Sequence, residues 1–482
     1  MIESFVLFII IIIFIYVWKP KRPSNYPPGP APLPIIGNAL DIPQGHLHPK
    51  VEEWSQQYGP IFSLNFFNDL IVVVTGIDNV LEALRKEEFQ SRQDNFASRA
   101  RSFGKTSLGI FFSSGKQWSS SRKFTVKQLR AFGKSEKENV IADEISRLMD
   151  TIIEQPNVQA NGIFGPTGLN VIWRLMASKR FDYNDEKSRI IASDLSFAFR
   201  QGSASGVSIV NFIPLFRFFT PSFNVFIKIM KDIQNLIKET VKEHREVLDP
   251  NNPRDLIDNY LIEMDRNKGN PDSLFIDEDL LMIGTDLFAA GSETTSGSIE
   301  FVLLYMILYP EMQEKMQEEI DRVLRGRKPV FEDRTNLHYT MAVLNEVERL
   351  NSVVPTNIPH LCTKDTTFGG YFIPKGALIS MNFRCFGYDT KYWKDPEEFN
   401  PQRFLNADGQ YTRPSIMPTF GLGQRTCVGE VMARNTIFLF TTTFFEKFSI
   451  SLPPGEPKPS TKPLPGFTTS PKPFNISIKS RY

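Results

Sequence analysis

A long helical pattern between Asp277 and Pro310 constrains the fold of this 482-residue chain more than any other feature. Aspartate is a residue type that favours a helix N-cap, and proline cannot continue a helix. We therefore predict a helix that Asp277 caps and that runs about thirty residues to Tyr309, against about 10–14 residues for an average globular helix. A helix of that length crosses a whole domain, so a large domain must surround it.

The rest of the pattern is also mainly helical, with small sheets at the edges of the fold. Two β-branched runs at residues 61–66 and 70–75 flank a turn signal and predict an early hairpin. Most windows between residues 116 and 309 are helical, with breaks near residues 202–206, 214–221, 250–253 and 267–272. The later predicted elements are helices at 311–324 and from about 428, and strands at 367–371 and 377–382.

Composition excludes several classes of protein. Three cysteines are too few for a disulfide framework, and an odd count fits a reducing, cytosol-facing environment. A formal net charge of +1 gives no bulk attraction for nucleic acid, so we expect no nucleic-acid partner. With 41% hydrophobic residues the chain can bury a sizeable core, which argues against disorder. A length prior of roughly 150 residues per domain suggests about three domains.

The N-terminus predicts a membrane anchor. Residues 5–18 are all apolar, a short run for a span of about twenty residues, but one that serves if the flanking residues snorkel. A cleaved signal peptide is the alternative, which Glu3 and the lack of a small-residue cleavage site disfavour. The basic run at residues 19–22 places the following chain in the cytosol. We assign residues 1–20 to a single-pass anchor and the basic, proline-rich residues 21–38 to a stiff hinge.

The most informative segment is the loop of residues 418–430, PTFGLGQRTCVGE. A lone cysteine is ordinarily a small buried hydrophobe, but the neighbours of Cys427 favour a thiolate. Gly423 and the other glycines allow a tight backbone that turns amides towards the sulfur, and Arg425 adds a positive charge that lowers a thiol pKa. Phe420 supplies an apolar cover, and the helix that follows favours an anion at its N-terminus. A shielded thiolate with open space opposite is the environment of an axial haem ligand.

The pattern F-x-x-G-x-R-x-C-x-G at residues 420–429 resembles the haem-thiolate signature of the cytochromes P-450. Further motifs of that family follow in its order across nearly the whole chain. The resemblance implies haem b (iron protoporphyrin IX) as cofactor, with Cys427 as axial ligand of the iron and Phe420, Gly423 and Arg425 around it. It also implies the cytochrome P-450 fold, mainly α with small β-sheets, in one large domain over residues 39–482 rather than three.

Residues 289–296, AAGSETTS, lie in the middle of the long helix and resemble the oxygen-activation motif of the same family. Gly291 lets a flat group approach the helix backbone closely, and polar residues interrupt an otherwise apolar helix. Threonine hydroxyls that bond back to their own helix are the ordinary alternative. The family assigns Thr294 to hydrogen-bonding dioxygen and Glu293 to relaying protons for O–O cleavage, so the resemblance makes both residues catalytic.

Glu346 and Arg349, in EVERL, stand at i,i+3 on a predicted helix. Alone, such a pair is an ordinary ion pair on a helix surface. It resembles the E-x-x-R motif of the family, whose usual third partner is the arginine of FNPQRF, here Arg403. The resemblance implies a buried, structural cluster that holds the chain leading to the cysteine loop.

Trp118 and Arg122 match the family's W-x-x-x-R, in which an indole donor and a guanidinium on one helix reach a haem propionate. A tryptophan packed in a helical core beside an exposed arginine is the alternative when the motif stands alone. Arg425 is the second candidate propionate partner. Many relatives carry arginine where this chain has Leu361, so one propionate contact is missing or His360 supplies it.

The 41 phenylalanines are concentrated in segments that favour lipophilic contacts. Six of them fall within 15 residues, namely Phe212, Phe216, Phe218, Phe219, Phe223 and Phe226. They either pack in the core or dip into a membrane, as the corresponding loop of anchored relatives does. By analogy with the family, the segments that line a substrate cavity are residues 110–112, Phe288, residues 353–358 and Phe467.

The resemblance implies a microsomal monooxygenase of the animal type, similar to invertebrate members of the drug- and steroid-oxidising branch. Such an enzyme takes electrons from NADPH through a flavoprotein reductase. It inserts one oxygen atom of O2 into a lipophilic small molecule such as a steroid, fatty acid, terpenoid or xenobiotic. It is single-pass in the endoplasmic reticulum membrane, with its catalytic domain facing the cytosol. Lys123, Lys127, Arg130 and Arg434 form either a solvated helix face or a basic patch that attracts an acidic reductase.

Two other functions remain open. One is a haem-thiolate isomerase or dehydratase that needs no external electrons, and the intact pair of Glu293 and Thr294 argues against it. The other is a non-catalytic haem-binding carrier or sensor, which would show no turnover. Consumption of NADPH with formation of an oxygenated product separates both from a monooxygenase.

Overall fold

The structure is a computed structural model that describes residues 23–42, 47–67, 69–153, 157–183, 185–200 and 209–482. The predicted anchor, the first two residues of the predicted hinge and the predicted break at 202–206 lie outside the described residues. In the part of the chain that is described, no helix combines the length and the apolar composition needed to cross a membrane.

Helices dominate the described chain. The first are α1 (His48–Tyr58), α2 (Ile77–Arg85), α3 (Phe96–Arg101), α4 (Gly115–Ala131) and α5 (Lys134–Ile153). The central ones are α6 (Gly165–Ala177), α7 (Glu186–Arg200), α8 (Ile209–Phe212), α9 (Pro221–Val247), α10 (Leu256–Arg266) and α11 (Asp277–Leu308). The last are α12 (Pro310–Leu324), α13 (His338–Leu350), α14 (Cys385–Tyr388) and α15 (Glu430–Lys447). Short 3-10 helices lie at Ala39–Asp41, Glu87–Phe89, Pro214–Phe219, Phe331–Thr335, Pro401–Phe404 and Gly423–Arg425.

The strands form small sheets at the edges, as predicted. They are β1 (Ile61–Phe66), β2 (Asp69–Val74), β3 (Asn157–Gln159), β4 (His360–Leu361), β5 (Thr366–Phe368), β6 (Tyr371–Ile373), β7 (Leu378–Met381), β8 (Phe448–Ser451) and β9 (Asn475–Ser480). One sheet has the order β1-β2-β7-β4, a second has β3-β9-β8, and β5 pairs with β6. In the first sheet β2 and β7 are parallel, and the other pairs are antiparallel.

The predicted early hairpin is confirmed, because β1 and β2 are antiparallel with Ile61 opposite Val74. The prediction of one strand at 367–371 is wrong. Gly369 and Gly370 both have positive φ, at +56° and +82°, and turn the chain so that two short strands form instead. The sequence pattern hid the turn because β-branched and aromatic residues stand on both sides of it.

The predicted long helix is confirmed as α11, which has 32 residues and is buried along most of its length. Asp277 is its first residue and not its cap, because Ile276 holds the N-cap position in an extended conformation. Helices α6, α9 and α15 pack against it. The helix therefore crosses the domain with other helices on several sides.

Two large hydrophobic cores meet the two halves of α11. The N-terminal half, as far as Ala289, packs in one core with residues of α6, α9 and α10. The C-terminal half, from Ile299, packs in the other core with residues of α5, α12 and α15. Residues 290–298 between them belong to neither core and are mainly small or polar. The side chains of the long helix thus change from apolar to small or polar in its middle, while its backbone stays helical throughout.

A buried ion cluster fixes the chain after α14, and it contains the predicted structural residues. The side chains of Glu346 and Arg349 are 0% exposed, with Arg349 Nε 2.6 Å from Glu346 Oε2. Arg403 Nε lies 3.4 Å from Glu346 Oε1, so two guanidiniums flank one carboxylate. Arg349 also donates to the carbonyls of Pro396, at 2.8 Å, and Glu398, at 3.0 Å. The cluster therefore ties α13 to the irregular segment that follows α14.

Replacing Glu346 by glutamine tests how much this cluster stabilises the fold. Glu346→Gln leaves the buried guanidinium of Arg349 without a counter-charge and removes the nearer of the two carboxylates beside Arg403, so we expect a loss of about 3–5 kcal/mol in the free energy of unfolding. Urea denaturation followed by circular dichroism measures it. Glu53→Gln, which breaks an exposed pair with Lys50, is the control and should barely move the midpoint. Equal midpoints for the two variants would contradict the structural role.

Candidate active site

An internal cavity of about 600 Å³ lies beside the polar stretch of α11. The residues of α11 in its wall are Asp286, Leu287, Ala290, Gly291, Thr294, Thr295, Ser298, Phe301 and Val302. Other parts of the wall come from α4, α6, α7, α15 with the loop before it, and the segment between α13 and β4. The cavity therefore spans the polar stretch of α11 and the adjoining edges of both hydrophobic cores.

The loop before α15 brings Cys427 to this cavity. Its thiol is free and accessible, and its N–H donates to the carbonyl of Phe420 at 2.9 Å, which closes the loop. Gly423 has φ +72°, and a Cβ there would lie 3.0 Å from the carbonyl oxygen of Leu84. Glycine is therefore required at this turn by both conformation and space. Helix α15 begins three residues after the cysteine, as expected for a loop that ends at a helix N-terminus.

The electrostatics of Cys427 differ from the prediction. The thiol opens onto the cavity but lies deep within the protein, so the loss of bulk water around it raises its pKa, whereas the hydrogen bond with the Gly429 backbone lowers it. The cations that lower this pKa are Arg122 and Arg434. The predicted effect of Arg425 on this pKa stays a prediction, and its guanidinium lies 3.7 Å from the ring centroid of Trp118. The protein alone thus favours a neutral thiol at Cys427.

Thr294 and Glu293 are neighbours on α11 but face different surroundings. Thr294 lines the cavity, and its hydroxyl donates to the carbonyl of Ala290 at 2.8 Å, the back-bond of the ordinary alternative. That hydroxyl retains its acceptor capacity. Glu293 is 8% exposed and accepts a hydrogen bond from Ser196 Oγ of α7 at 3.3 Å. The pKa of Glu293 is raised to about 7, first by burial and second by the nearby Glu300.

Gly291 also lines the cavity, but its closest neighbour is a side chain. A Cβ at Gly291 would lie 2.6 Å from Cδ1 of Ile172 on α6. The glycine therefore permits α6 to pack closely on α11. The prediction that it admits a flat group concerns the cavity side of the same residue and stays a prediction.

Cationic and donor side chains crowd one part of the cavity wall. Arg122 donates to the carbonyl of Thr426 at 2.7 Å, and Arg425 donates to that of Gln90 at 2.8 Å. Burial and the charge of Arg122 lower the pKa of Arg425 to about 9. Trp118 Nε1 and Arg425 Nη1 are buried without a hydrogen-bond partner in the described residues. The predicted propionate residues Trp118, Arg122 and Arg425 are therefore brought together.

Two further residues join this cluster, and one was missed from the sequence. Arg92 is 9% exposed and binds the carbonyls of Phe111, at 3.1 Å, and Ile358, at 2.6 Å. His360 is 2% exposed, and burial with the charges of Arg92 and Arg425 holds its pKa well below its usual range. Leu361 is in β4 and its N–H donates to the carbonyl of Ser91. No local pattern marks Arg92, because its neighbours in space come from remote segments.

The comparison with known proteins identifies the family. Residues 27–478 match the family model described as Cytochrome P450. The chain belongs to the cytochrome P450 family. Farnesoate epoxidase from Bombyx mori is 36% identical over 98% of this chain and 97% of its own length. Cytochrome P450 2C11 from Rattus norvegicus is 37% identical, over 89% and 86%, and cytochrome P450 2C8 from Homo sapiens is 36% identical, over 93% of each chain.

Family membership confirms the enzyme class and the cofactor. The protein is an oxidoreductase of the monooxygenase class, it has the single-domain P450 fold, and P450 enzymes bind haem, iron protoporphyrin IX. The residues of the cavity fit that group. Arg92, Arg122 and Arg425 form no ion pair with an acid among the described residues, and unpaired donors lie beside them. Haem carries two propionates, which would supply the missing negative charge and acceptors.

Several residues that the sequence predicted to line a substrate cavity lie in the wall of the P450 cavity. Ile110, Phe111, Val353, Ile358 and Phe467 line it, and the sequence reasoning missed Phe199 of α7. The prediction for Phe288 is wrong. That side chain is 0% exposed and packs against Trp173, with ring centroids 5.4 Å apart, inside the N-terminal core. Positions on α11 alternate between core and cavity with the helical period, which a run of apolar letters does not reveal.

Two carboxylates of α11 hold the loop with Ile110 and Phe111, which lines the cavity, in place. Asp286 accepts from the N–H groups of Ile110, at 2.7 Å, and Phe111, at 3.0 Å, and pairs with Arg101. Asp279 accepts from the N–H of Gly109 at 2.9 Å. A Cβ at Gly109 would lie 2.4 Å from Asp286 Oδ2, so only glycine allows this approach. The position of the two lining residues therefore depends on α11 and not on the loop itself.

The phenylalanine-rich segment divides into exposed and buried members. The exposed members lie in the Pro214–Phe219 helix. Their exposed fractions are 40% for Phe216, 65% for Phe218 and 76% for Phe219. Phe223 and Phe226 are 3% and 6% exposed and pack in the core. The side chain of Phe212 lies outside the described residues.

The predicted basic patch is smaller than expected. Lys123, Lys127 and Arg130 are exposed at helical spacing on α4. Arg434 does not join them as a free cation, since it pairs with Glu348, at 2.9 Å, and Glu430, at 2.9 Å. The charge of Arg434 is therefore compensated within the fold.

Proposed function

We propose that this P450 is a membrane-bound haem-thiolate monooxygenase in which Cys427 is the axial ligand of the haem iron. The observation that carries the proposal is the accessible free thiol in the wall of a cavity that also holds uncompensated guanidiniums. Haem has two polar parts, its iron and its propionates. A thiolate at Cys427 would match the iron, and the guanidiniums would match the propionates. When bound, haem supplies the activation of dioxygen, which no amino-acid side chain can do.

The donors of the cavity wall hold the propionates in this proposal. Trp118, Arg122 and Arg425 fill that role as the family motifs imply, and Arg92 joins them. Arg92 is a better candidate than a surface arginine because its guanidinium is already fixed by backbone carbonyls and pays little ordering entropy. The Nδ1–H of His360 already donates to the carbonyl of Phe89, and Nε2 of the neutral ring can only accept. Arg92, and not His360, therefore answers the departure from the family pattern at Leu361.

Thr294 and Glu293 act together as the proton path. Thr294 Oγ1 lies in the cavity wall and would turn its hydroxyl from the carbonyl of Ala290 to donate to dioxygen, and the carboxyl of Glu293 would supply the proton that replaces the one Thr294 passes on. The raised pKa of Glu293, which burial causes, keeps a transferable proton on its carboxyl near neutral pH. Ser196 fixes the resting position of that carboxyl on the side of α7.

The substrate is a lipophilic small molecule. Its side of the cavity is lined by apolar residues such as Ile110, Phe111, Val353, Ile358 and Phe467. Apolar walls of this kind bind by surface burial and select by shape more than by polar contacts. The relative from Bombyx mori is named for farnesoate epoxidation. A farnesoate is therefore the first substrate to test, before steroids, fatty acids and foreign compounds.

Electrons come from NADPH through a flavoprotein reductase that docks on α4. Lys123, Lys127 and Arg130 offer an exposed positive face there, on the same helix as Trp118 and Arg122. Complementary charge raises the rate of encounter with an acidic partner. The chain sits on the endoplasmic reticulum membrane with the domain in the cytosol, anchored by residues 1–20 and hinged by residues 21–38. The exposed phenylalanines of Pro214–Phe219 provide a second contact with the bilayer.

Replacing Cys427 and Thr294 tests the haem chemistry. Wild-type protein should give the reduced, carbon-monoxide-bound spectrum of a thiolate-ligated haem, and Cys427→Ser should lose it. Thr294→Ala should keep that spectrum but form less product and more peroxide for each NADPH consumed, because proton delivery is impaired. Cys362→Ser, at a buried thiol away from the cavity, is the matched control. A histidine-type spectrum in the wild type would overturn the assignment of Cys427.

Reconstitution with reductase separates the candidate functions. A monooxygenase consumes NADPH and O2 and forms an oxygenated product from farnesoate or another lipophilic compound. Product formed from a peroxide or epoxide substrate without NADPH would favour the isomerase or dehydratase. Haem binding with no turnover of any compound in the screen would favour the carrier or sensor.

Charge reversal on α4 tests the reductase surface. Lys123→Glu with Lys127→Glu should raise the KM for reductase by about tenfold at low salt, because steering depends on complementary charge, and should leave substrate binding unchanged. Increasing salt should shrink the difference between variant and wild type. Lys458→Glu with Lys462→Glu, at two exposed lysines, carries the same charge change elsewhere. The same rise in KM in both double variants would refute a specific docking surface.

A tryptophan probe tests the membrane contact of Pro214–Phe219. In vesicles with brominated acyl chains, the full-length Phe218→Trp protein should show quenching beyond that of the parent chain. Tyr482→Trp, at a residue 83% exposed at the other end of the chain, should show no added quenching. Equal quenching of the two added tryptophans would count against bilayer contact at residue 218.

A further inference from the structure

Two buried carboxyl groups on α11 share one nearby guanidinium. Glu293 and Glu300 are 8% and 6% exposed and stand seven residues apart, on one face of the helix. Arg200, at the end of α7, is the cation that acts on both of them. Its Nη2 donates to Ser196 Oγ at 2.5 Å, and Ser196 in turn donates to Glu293. One positive charge cannot neutralise two carboxylates, so one of the acids is favoured to keep its proton.

The donors around the two acids decide which one that is. Glu300 accepts from the N–H of Gly162 at 2.7 Å, from Asn161 Nδ2 at 3.3 Å and from Ser296 Oγ at 3.4 Å. Glu293 accepts only the hydrogen bond from Ser196, at 3.3 Å, among the described residues. Hydrogen bonds to a carboxylate favour its ionised form. Glu300 is therefore the better place for the negative charge, and Glu293 for the proton.

We propose that Glu300 is a positioning residue for proton delivery, whose negative charge keeps the proton on Glu293. The inference rests on the proposed role of Glu293 and adds a control on it. Glu300 does not line the cavity and does not contact Thr294. It acts on Glu293 through its negative charge. Asn161 and Gly162, in the segment before α6, hold its carboxylate in the position from which it acts.

The charges around the pair support this division. Burial raises the pKa of each carboxyl to about 7. The charge of Glu300 raises the pKa of Glu293 further, and the charge of Arg200 lowers it. The groups that face the pair from α7 are Arg200 and Ser196, and those from the segment before α6 are the neutral amides of residues 161 and 162. Glu293 therefore holds a proton below about pH 7 and loses it as the pH rises through that value.

Two substitutions should move this equilibrium in opposite directions. Glu300→Gln removes the anion, so the pKa of Glu293 falls and its proton is lost at lower pH. Arg200→Gln removes the cation but keeps a donor for Ser196, so the pKa of Glu293 rises. A structural defect would not produce shifts of opposite sign. Glu278→Gln, in the first turn of the same helix, removes an exposed charge paired with Lys105 and is the matched control.

The experiment follows the haem-loaded, full-length enzyme with reductase between pH 6 and pH 9. We expect product per NADPH to fall as the pH rises through about 7 in the wild type. The midpoint of that fall should move down by about one pH unit in Glu300→Gln and up by about one in Arg200→Gln. Glu278→Gln should keep the wild-type midpoint. Infrared spectra of the protein without substrate provide a second readout, because the C=O band of the protonated Glu293 carboxyl should disappear at the same midpoints.

Glu293→Gln separates failure of this inference from failure of the proposed function. If Glu293→Gln leaves product per NADPH unchanged at every pH, the proposed role of Glu293 itself is wrong. If Glu293→Gln impairs coupling but the other two variants keep the wild-type midpoint or move it in the same direction, only the inference about Glu300 is overturned. Should Glu300→Gln fail to retain haem, Arg200→Gln decides alone, and a midpoint that does not rise refutes the proposal.

Discussion

The whole structure depends on the burial of α11. A helix surrounded by other helices has to satisfy every polar side chain it carries, because buried polar groups without partners are destabilising. The two halves of α11 meet this condition mainly with apolar side chains, which form two separate cores, while their buried Asp279 and Asp286 accept hydrogen bonds from backbone N–H groups. Its middle, residues 290–298, meets it by bordering a cavity and a neighbouring helix that supply polar partners. The site therefore lies where the packing of the central helix changes, and its location follows from the fold.

The cations of the cavity link cofactor binding to folding. Arg92 and Arg425 bind backbone carbonyls of segments that are remote in sequence, so they hold the wall together and offer their remaining donors to a carboxylate. Burial lowers the pKa of Arg92, and the repulsion between its charge and that of Arg425 lowers it further. A ligand that brings negative charge to this place relieves the repulsion and stabilises the folded chain by binding to it. Haem retention and stability are thus expected to change together.

Local chemistry made part of the site predictable from the sequence. The loop of Cys427 and the motif of Thr294 are short, and their residues act on neighbours a few positions away. The missing parts depend on contacts between remote segments: Arg92 gains its role from Ile358, and Arg434 loses its free charge to Glu348. Phe288 was misassigned because the side of α11 that faces the cavity is set by packing against Trp173. The long helix was predictable, and its turn-by-turn environment was not.

The buried acids differ in how fully their charge is compensated, and that difference separates structure from chemistry. Glu346 has two guanidiniums within 3.4 Å, from Arg349 and Arg403, and Glu348 pairs with Arg413 and Arg434. Such paired acids hold the fold together. Glu293 and Glu300 share Arg200 at longer range and pair with it in no direct ion pair among the described residues. An acid whose negative charge lacks a close cation is poorly suited to hold a fold together but well suited to exchange a proton near neutral pH. Helix α11 carries this pair of acids beside the cavity.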